Sequence, residues 1–173
     1  DHILIGLNQR DERIHDVYRL NINTAEITLL AENPGNISGW MTDHAGRLRL
    51  AMTSDGVNRS LLYREKEDGE FNVILTTNFK ESVDPLFFTF DNKNLYVSSN
   101  RDRDKSAIFE FDLSKAEESK LIFEHDEVDV SSLMYSKKRK IITGVSYYTD
   151  RRNYHMFDEW RASIQEDLEQ NLP

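Results

Sequence analysis

The sequence predicts an all-β protein built from a repeated unit of short antiparallel strands, and two alignments of the chain on itself carry that prediction. Val17-Tyr18-Arg19-Leu20-Asn21, Leu62-Tyr63-Arg64-Glu65-Lys66, Ile108-Phe109-Glu110-Phe111-Asp112 and Tyr154-His155-Met156-Phe157-Asp158 start at 17, 62, 108 and 154, in steps of 45, 46 and 46. A second, independent set, Ile3–Leu7, Leu48–Met52, Leu95–Ser99 and Ile141–Val145, starts at 3, 48, 95 and 141, in steps of 45, 47 and 46. The third observation is local: runs such as Ala107-Ile108-Phe109-Glu110-Phe111-Asp112-Leu113 are β-branched or aromatic and alternate with period two, whereas a helix needs apolar spacings of three and four. Four antiparallel strands per repeat of 40–50 residues is the pattern of a β-propeller blade. Sandwiches and barrels do not repeat in groups of four.

The elements follow in order. The expected domain is a partial β-propeller over 1–157, about four four-stranded antiparallel blades at 1–35, 36–80, 81–126 and 127–157. The second unit is clearest: Gly39–Asp43 as a first strand, a turn at His44-Ala45-Gly46, Leu48–Thr53, a polar turn at Ser54–Asn58, Ser60–Glu65, an Asp68-Gly69 hairpin signal, and Phe71–Thr76. The third repeats it with Leu86–Phe90, a turn at Asp91–Asn94, Leu95–Asn100, a loop at Arg101–Lys105, Ala107–Leu113 and Lys120–Glu124. The pattern breaks at 158–173. This stretch lacks internal Gly and Pro, and Trp160, Ile164, Leu168 and Leu172 recur every four residues, so it is expected to be an amphipathic C-terminal α-helix leading to the next blade. Asp158 suits its N-cap and Pro173 its end.

Composition excludes several classes. The chain has 173 residues, enough for a real core, and 7 Gly and 3 Pro are too few for a linker or fibre. With no Cys, disulfide scaffolds and thiolate metal sites are excluded together. A net charge of −9 argues against nucleic acid as a partner. Lys137-Lys138-Arg139-Lys140, the dense basic run, reads as a solvated turn. No apolar run approaches a membrane span. The chain opens on strand-like Ile3-Leu4-Ile5 without a signal-peptide pattern, so it is expected to be a cut from a longer soluble protein, cytoplasmic or periplasmic. The expected blade faces left uncovered at each end predict self-association.

The fourth unit is the most specific. Gly144-Val145-Ser146-Tyr147-Tyr148-Thr149-Asp150-Arg151-Arg152, then Tyr154–Asp158, then a helix ending Leu172-Pro173, resembles the propeller of the prolyl oligopeptidase family, in its acylaminoacyl-peptidase and dipeptidyl-aminopeptidase branch. The third unit's Ser98-Ser99-Asn100-Arg101-Asp102-Arg103-Asp104 leading to Ala107-Ile108-Phe109 looks like a WD40-like repeat segment. The resemblance implies a serine peptidase parent whose catalytic triad lies on an α/β-hydrolase domain, with the propeller gating the entry of short peptides.

The triad's nucleophile sits in G-x-S-x-G, and this chain has none. Gly35-Asn36-Ile37-Ser38-Gly39 has the wrong spacing, and Gly144–Tyr148 lacks the second Gly. No catalytic residue is therefore assigned, substrate-binding residues are left open, and no metal or cofactor is expected. Of the five His, none forms a helical zinc pair, and His155 aligns with Phe109 and Tyr63 as a packing position. Asn100–Asp104 has alternating carboxylates but lacks the Gly and Glu of a calcium loop, so it reads as a polar turn. Asn36-Ile37-Ser38 and Asn58-Arg59-Ser60 match the glycosylation sequon only as composition. Tyr18, Tyr63, Phe87, Phe88, Phe90, Tyr96, Phe109, Phe111 and Phe123 are expected to pack between blades. Asp158-Glu159 is read as a helix start, not as a grip on a peptide N-terminus. The expected function is thus a non-catalytic propeller portion of such a peptidase, its partners the hydrolase domain and a peptide. The alternative is a non-catalytic propeller module that binds a protein or glycan. A propeller glycosidase, needing two carboxylates on one pocket, ranks below both.

Overall fold

The structure, a computed structural model, describes residues 1–171; Leu172 and Pro173, the expected end of the helix, lie outside the described residues. It divides into two compact units, Asp1–Thr76 and a second beginning at Thr77. In the first, β1 (His2–Asp11), β2 (Ile14–Asn21) and β3 (Ile27–Ala31) form one antiparallel sheet, and β4 (Ile37–Thr42), β5 (Leu48–Ser54), β6 (Asn58–Tyr63) and β7 (Asn72–Asn78) form another. In the second, β8 (Val83–Phe88), β9 (Leu95–Ser99), β10 (Ala107–Asp112) and β11 (Glu117–Phe123) form a sheet, followed by β12 (Ser132–Ser136), β13 (Ile141–Tyr148) and β14 (Arg152–Met156). A helix, α1 (Glu159–Asn171), ends the described chain. Neighbours in sequence are neighbours in each sheet, the simplest way to satisfy every ladder with short turns.

The repeat is visible in three dimensions. The strands starting at Ile3, Leu48, Leu95 and Ile141 in the second alignment are β1, β5, β9 and β13. The middle two sheets carry four strands and the first and fourth carry three. In the fourth, α1 stands in sequence where β7 and β11 stand in their own sheets. The cause is local: Asp158 Oδ2 accepts the Arg161 N–H at 3.0 Å and Asp158 O accepts the Ala162 N–H at 2.9 Å, the N-cap geometry that starts a helix.

Several strand boundaries differ from expectation by a few residues. β8 runs over Val83–Phe88, earlier than the expected Leu86–Phe90. Thr89 leaves the strand to close a turn, its Oγ1 donating to Asp91 Oδ1 at 2.6 Å and accepting Asn94 N–H at 3.0 Å. Pro85 is tolerated because β8 is an edge strand. β11 starts at Glu117, three residues before the expected Lys120. The turn expected around Asp68-Gly69 is present, with Gly69 N–H donating to Lys66 O at 3.1 Å. β6 ends at Tyr63 and β7 starts at Asn72, and the loop between holds Glu67. Its Oε1 accepts the Leu48 N–H at 2.8 Å and pairs with Arg19 of the first sheet at 2.7 Å.

Each unit has its own core. In the first, Val17, Leu48, Leu50, Ala51 and Leu61 are buried. Inside the second sheet Asp43, 4% exposed, anchors the β4–β5 turn. Its Oδ1 accepts the N–H groups of Ala45 and Arg47 at 2.9 and 3.1 Å, and its Oδ2 meets Arg47 at 2.7 Å and the buried Arg49 at 3.4 Å. In the second unit Ile108, Val130, Leu133 and Val145 form a buried cluster, with Phe87, Tyr96, Phe123 and Tyr147 packed against it. The Phe87 and Tyr135 rings meet at a tilt with centroids 4.4 Å apart, and Phe123 and His155 likewise at 4.7 Å. In this unit the aromatic rows therefore join adjacent sheets, as the sequence predicts.

Candidate functional site

Two hollows in the second unit meet at Arg152. The first, about 410 Å³, is lined by Lys105, Asp129, Ser132, Ser146, Tyr147 and Arg152 among others. Short bonds between segments far apart in sequence hold Asp129 and the chain next to it. Asp129 Oδ1 accepts the Ser106 N–H at 2.7 Å, Val130 N–H donates to Ser106 O at 2.8 Å, and Ser98 Oγ donates to Val130 O at 3.0 Å. Arg152 Nη2 donates to the buried Ser146 Oγ at 3.2 Å. Its guanidinium lies near the rings of Tyr148 and Tyr154, 5.9 and 5.3 Å from their centroids. Lys105, which also lines the hollow, pairs with exposed Asp104 at 3.0 Å, which holds its ammonium above the ordinary lysine value.

The second hollow is a groove of about 910 Å³ between β14 and α1, lined by Arg151–Met156 on one side and by Ala162, Gln165, Glu166, Leu168 and Glu169 on the other. The helix is fastened beside it at its first turn. Arg139, from the basic run Lys137–Lys140 in the β12–β13 turn, forks onto Asp158, its Nη1 donating to Oδ1 at 3.0 Å. Its guanidinium also lies 4.9 Å from the Trp160 ring centroid. That pairing holds the Asp158 carboxyl below its ordinary value and Arg139 above its own. Arg139 is thus committed to the helix, and the basic run is not wholly a solvated turn. No residue of α1 is buried, and Trp160 is 62% exposed, so the four-residue stripe is not covered among the described residues.

The other residues weighed from sequence fall elsewhere. Ser38 is in β4, its Oγ donating to Met52 O at 3.2 Å, and Gly144–Tyr148 is in β13; neither is a strand-to-helix elbow. His155 is exposed and packs on Phe123 and Phe157. His125 faces Tyr147 at 4.6 Å, and its Nδ1 accepts the Glu127 N–H at 3.1 Å. In the Asn100–Asp104 loop, Asn100 Oδ1 accepts the Ser82 N–H at 2.6 Å, and Asp102 takes a φ of 56°. Among the described residues no group of three or more His, Asp or Glu stands together at metal-binding distance. Sequence reasoning missed the two hollows because Lys105, Asp129, Ser146 and Arg152 form no motif. The fold alone brings them together.

These features present cations and hydroxyls, which can bind polar groups. Antiparallel sheets at a repeat of about 46 residues with aromatic rows between neighbours define blades, and the chain is a partial β-propeller with a C-terminal helix. It superposes on TolB from Acinetobacter baumannii with a TM-score of 0.63 at 14% identity, over 90% of this chain and 37% of that one. No family model matches the chain. It is 28% identical over 178 aligned residues to dipeptidyl aminopeptidase BIII of Pseudoxanthomonas mexicana, a match covering 96% of this chain and 24% of that protein. The peptidase resemblance drawn from the fourth repeat and its helix is borne out by this relative, of which the chain spans about a quarter. Among the described residues no helix is long and apolar enough to cross a membrane.

Proposed function

We propose that this chain is the non-catalytic propeller portion of a serine peptidase of the prolyl oligopeptidase type, which restricts entry to short peptides cleaved on a hydrolase domain outside it. The observation that carries the reading is the 28% identity to a dipeptidyl aminopeptidase across 96% of the chain. The physics agrees with it: rigid blades over a catalytic face exclude folded proteins by size and keep water from the reacting groups. The chain's own content supports a role without catalysis, because neither Gly35–Gly39 nor Gly144–Tyr148 makes the elbow that exposes a nucleophilic serine.

The test pairs two proteins. The purified chain is expected to release no product from chromogenic dipeptide substrates, while the full parent protein cleaves them and is blocked by a serine-directed fluorophosphonate. Hydrolysis by the isolated chain would overturn the division of labour. A parent without a G-x-S-x-G followed by Asp and His would replace the reading with a propeller that binds a protein or glycan.

A further inference from the structure

We propose that the smaller hollow, at the junction of the third and fourth sheets, binds a small zwitterion of the free-dipeptide type, with Arg152 taking its carboxylate and Glu127 and Asp129 its ammonium. The hollow, about 410 Å³, has the size of small-molecule sites, roughly 300–1,000 Å³. Its lining carries both signs of charge, Lys105 and Arg152 against Glu127 and Asp129. Those charges do not neutralise one another. Lys105 pairs with Asp104, which is outside the lining. Arg152 directs Nη2 to Ser146 Oγ at 3.2 Å and, among the described residues, pairs with no carboxylate. Glu127 donates its N–H to His125 Nδ1 at 3.1 Å, and Asp129 Oδ1 accepts the Ser106 N–H at 2.7 Å. Among the described residues neither carboxylate forms an ion pair. A ligand of one sign would be repelled by half of this lining, whereas a ligand charged oppositely at its two ends meets complementary groups at both.

The repeat separates what the fold imposes from what these residues add. The first unit has a hollow of its own, about 330 Å³, lined by Arg13, Gly35, Ile37, Gly39 and Trp40 among others. Positions 13, 35, 37, 39 and 40 each stand 92 residues, two repeats, before 105, 127, 129, 131 and 132, which line the hollow in the second unit. A junction between neighbouring sheets therefore leaves a hollow at this place in either unit. Its chemistry is another matter. Where the first unit has glycine, isoleucine, glycine and an indole, the second has Glu127, Asp129, Ser131 and Ser132. Giving up the apolar contacts of Ile37 and Trp40 for an acid and a hydroxyl does nothing for packing, because polar groups withdrawn from water need partners of their own. Asp129 has one in the Ser106 N–H. The side chains of Glu127, Ser131 and Ser132 make no hydrogen bond among the described residues. Three polar side chains and the Arg152 guanidinium are thus left for a ligand, the hydroxyls suiting the amide between its charged ends.

Calorimetric titration of the 173-residue chain with alanyl-alanine, its N-acetyl derivative and its amide tests this without any variant. Alanyl-alanine should bind, and each blocked form should bind about tenfold or more weakly, the factor expected for one hydrogen bond to a charged group. Variants then assign the ends. Arg152→Met should weaken alanyl-alanine and bind it no better than its amide. Glu127→Gln combined with Asp129→Asn, which keeps an acceptor for the Ser106 N–H, should bind it no better than the N-acetyl form. Arg13→Gln, in the hollow of the first unit, should change nothing. No binding of alanyl-alanine at millimolar concentration, equal binding of all three compounds, or undiminished binding by Arg152→Met would each overturn the proposal. It does not rest on the peptidase reading: binding by this chain would stand if the parent lacked a hydrolase domain, and that reading would stand if no dipeptide bound here.

Discussion

Replacing Asp43 by alanine removes the buried acceptor of the β4–β5 turn, and the cost can be worked from its partners. Oδ1 serves two turn N–H groups, which water can reach once the side chain is gone. Oδ2 serves Arg47 and Arg49, and Arg49 is only 5% exposed. Taking one partner from a buried ion pair costs about 3–5 kcal/mol, because the remaining charge keeps its desolvation penalty. A domain of this size shifts its midpoint by about 2–4 °C per kcal/mol, so a drop on the order of 10 °C is expected. Asp43→Asn keeps Oδ1 for the turn but turns an NH2 toward the guanidinium groups. Its expected cost is about 1.5–3 kcal/mol, the value of a hydrogen bond to a charged group. The double variant Asp43→Ala with Arg49→Met should recover much of the loss, since apolar replacement of a buried pair is often neutral. Urea unfolding read by Trp40, in the adjacent β4, with Trp160→Phe as background, isolates this unit. The reasoning fails if Asp43→Ala costs less than about 1 kcal/mol or if the double variant is no more stable than the single. The pH dependence has a definite sign. Burial pushes the Asp43 carboxyl up, but its bonds to Arg47 and Ala45 outweigh that and hold it below 3.8. Its contribution is therefore complete above the ordinary carboxylate value and lost as pH falls through the depressed one. Asp43→Ala should flatten the acid limb of the stability curve.

Gly144→Ala should loosen the fourth sheet: an added Cβ would stand 2.5 Å from His155 O and 3.1 Å from Met156 Cα, backbone that cannot yield without breaking the β13–β14 ladder. About 1–3 kcal/mol of destabilisation, typical of overpacking, should appear with accelerated amide exchange at Asn153 and His155. Ile108→Ala, at a fully buried site of the cluster with Val130 and Val145, should cost about 2–5 kcal/mol in urea unfolding. Asp158→Ala removes both the cap and the Arg139 pair. Helical ellipticity should fall and limited proteolysis at 159–171 should quicken, with the sheet-derived unfolding midpoint unchanged.

The sequence by itself determined the repeat, and with it the sheets, because strand identity rests on period-two patterning that each segment carries locally. Ala107–Leu113 is legible without any neighbour, and so is the switch to a helix at Asp158, where cap chemistry and the absence of Gly and Pro act within a few residues. It also determined that no nucleophile elbow is present. It did not reveal β3 or β12, which lie outside both alignment sets, nor that Glu67, in the turn it did place, meets a distant Arg19 and the Leu48 N–H. The hollows around Arg152 were illegible for the same physical reason. Lys105, Asp129 and Ser146 come from separate loops and strands, and packing rather than spacing places them there. Only the tertiary structure decided that Arg139 holds the helix, because its partner Asp158 lies 19 residues away and folding alone brings the two side chains together.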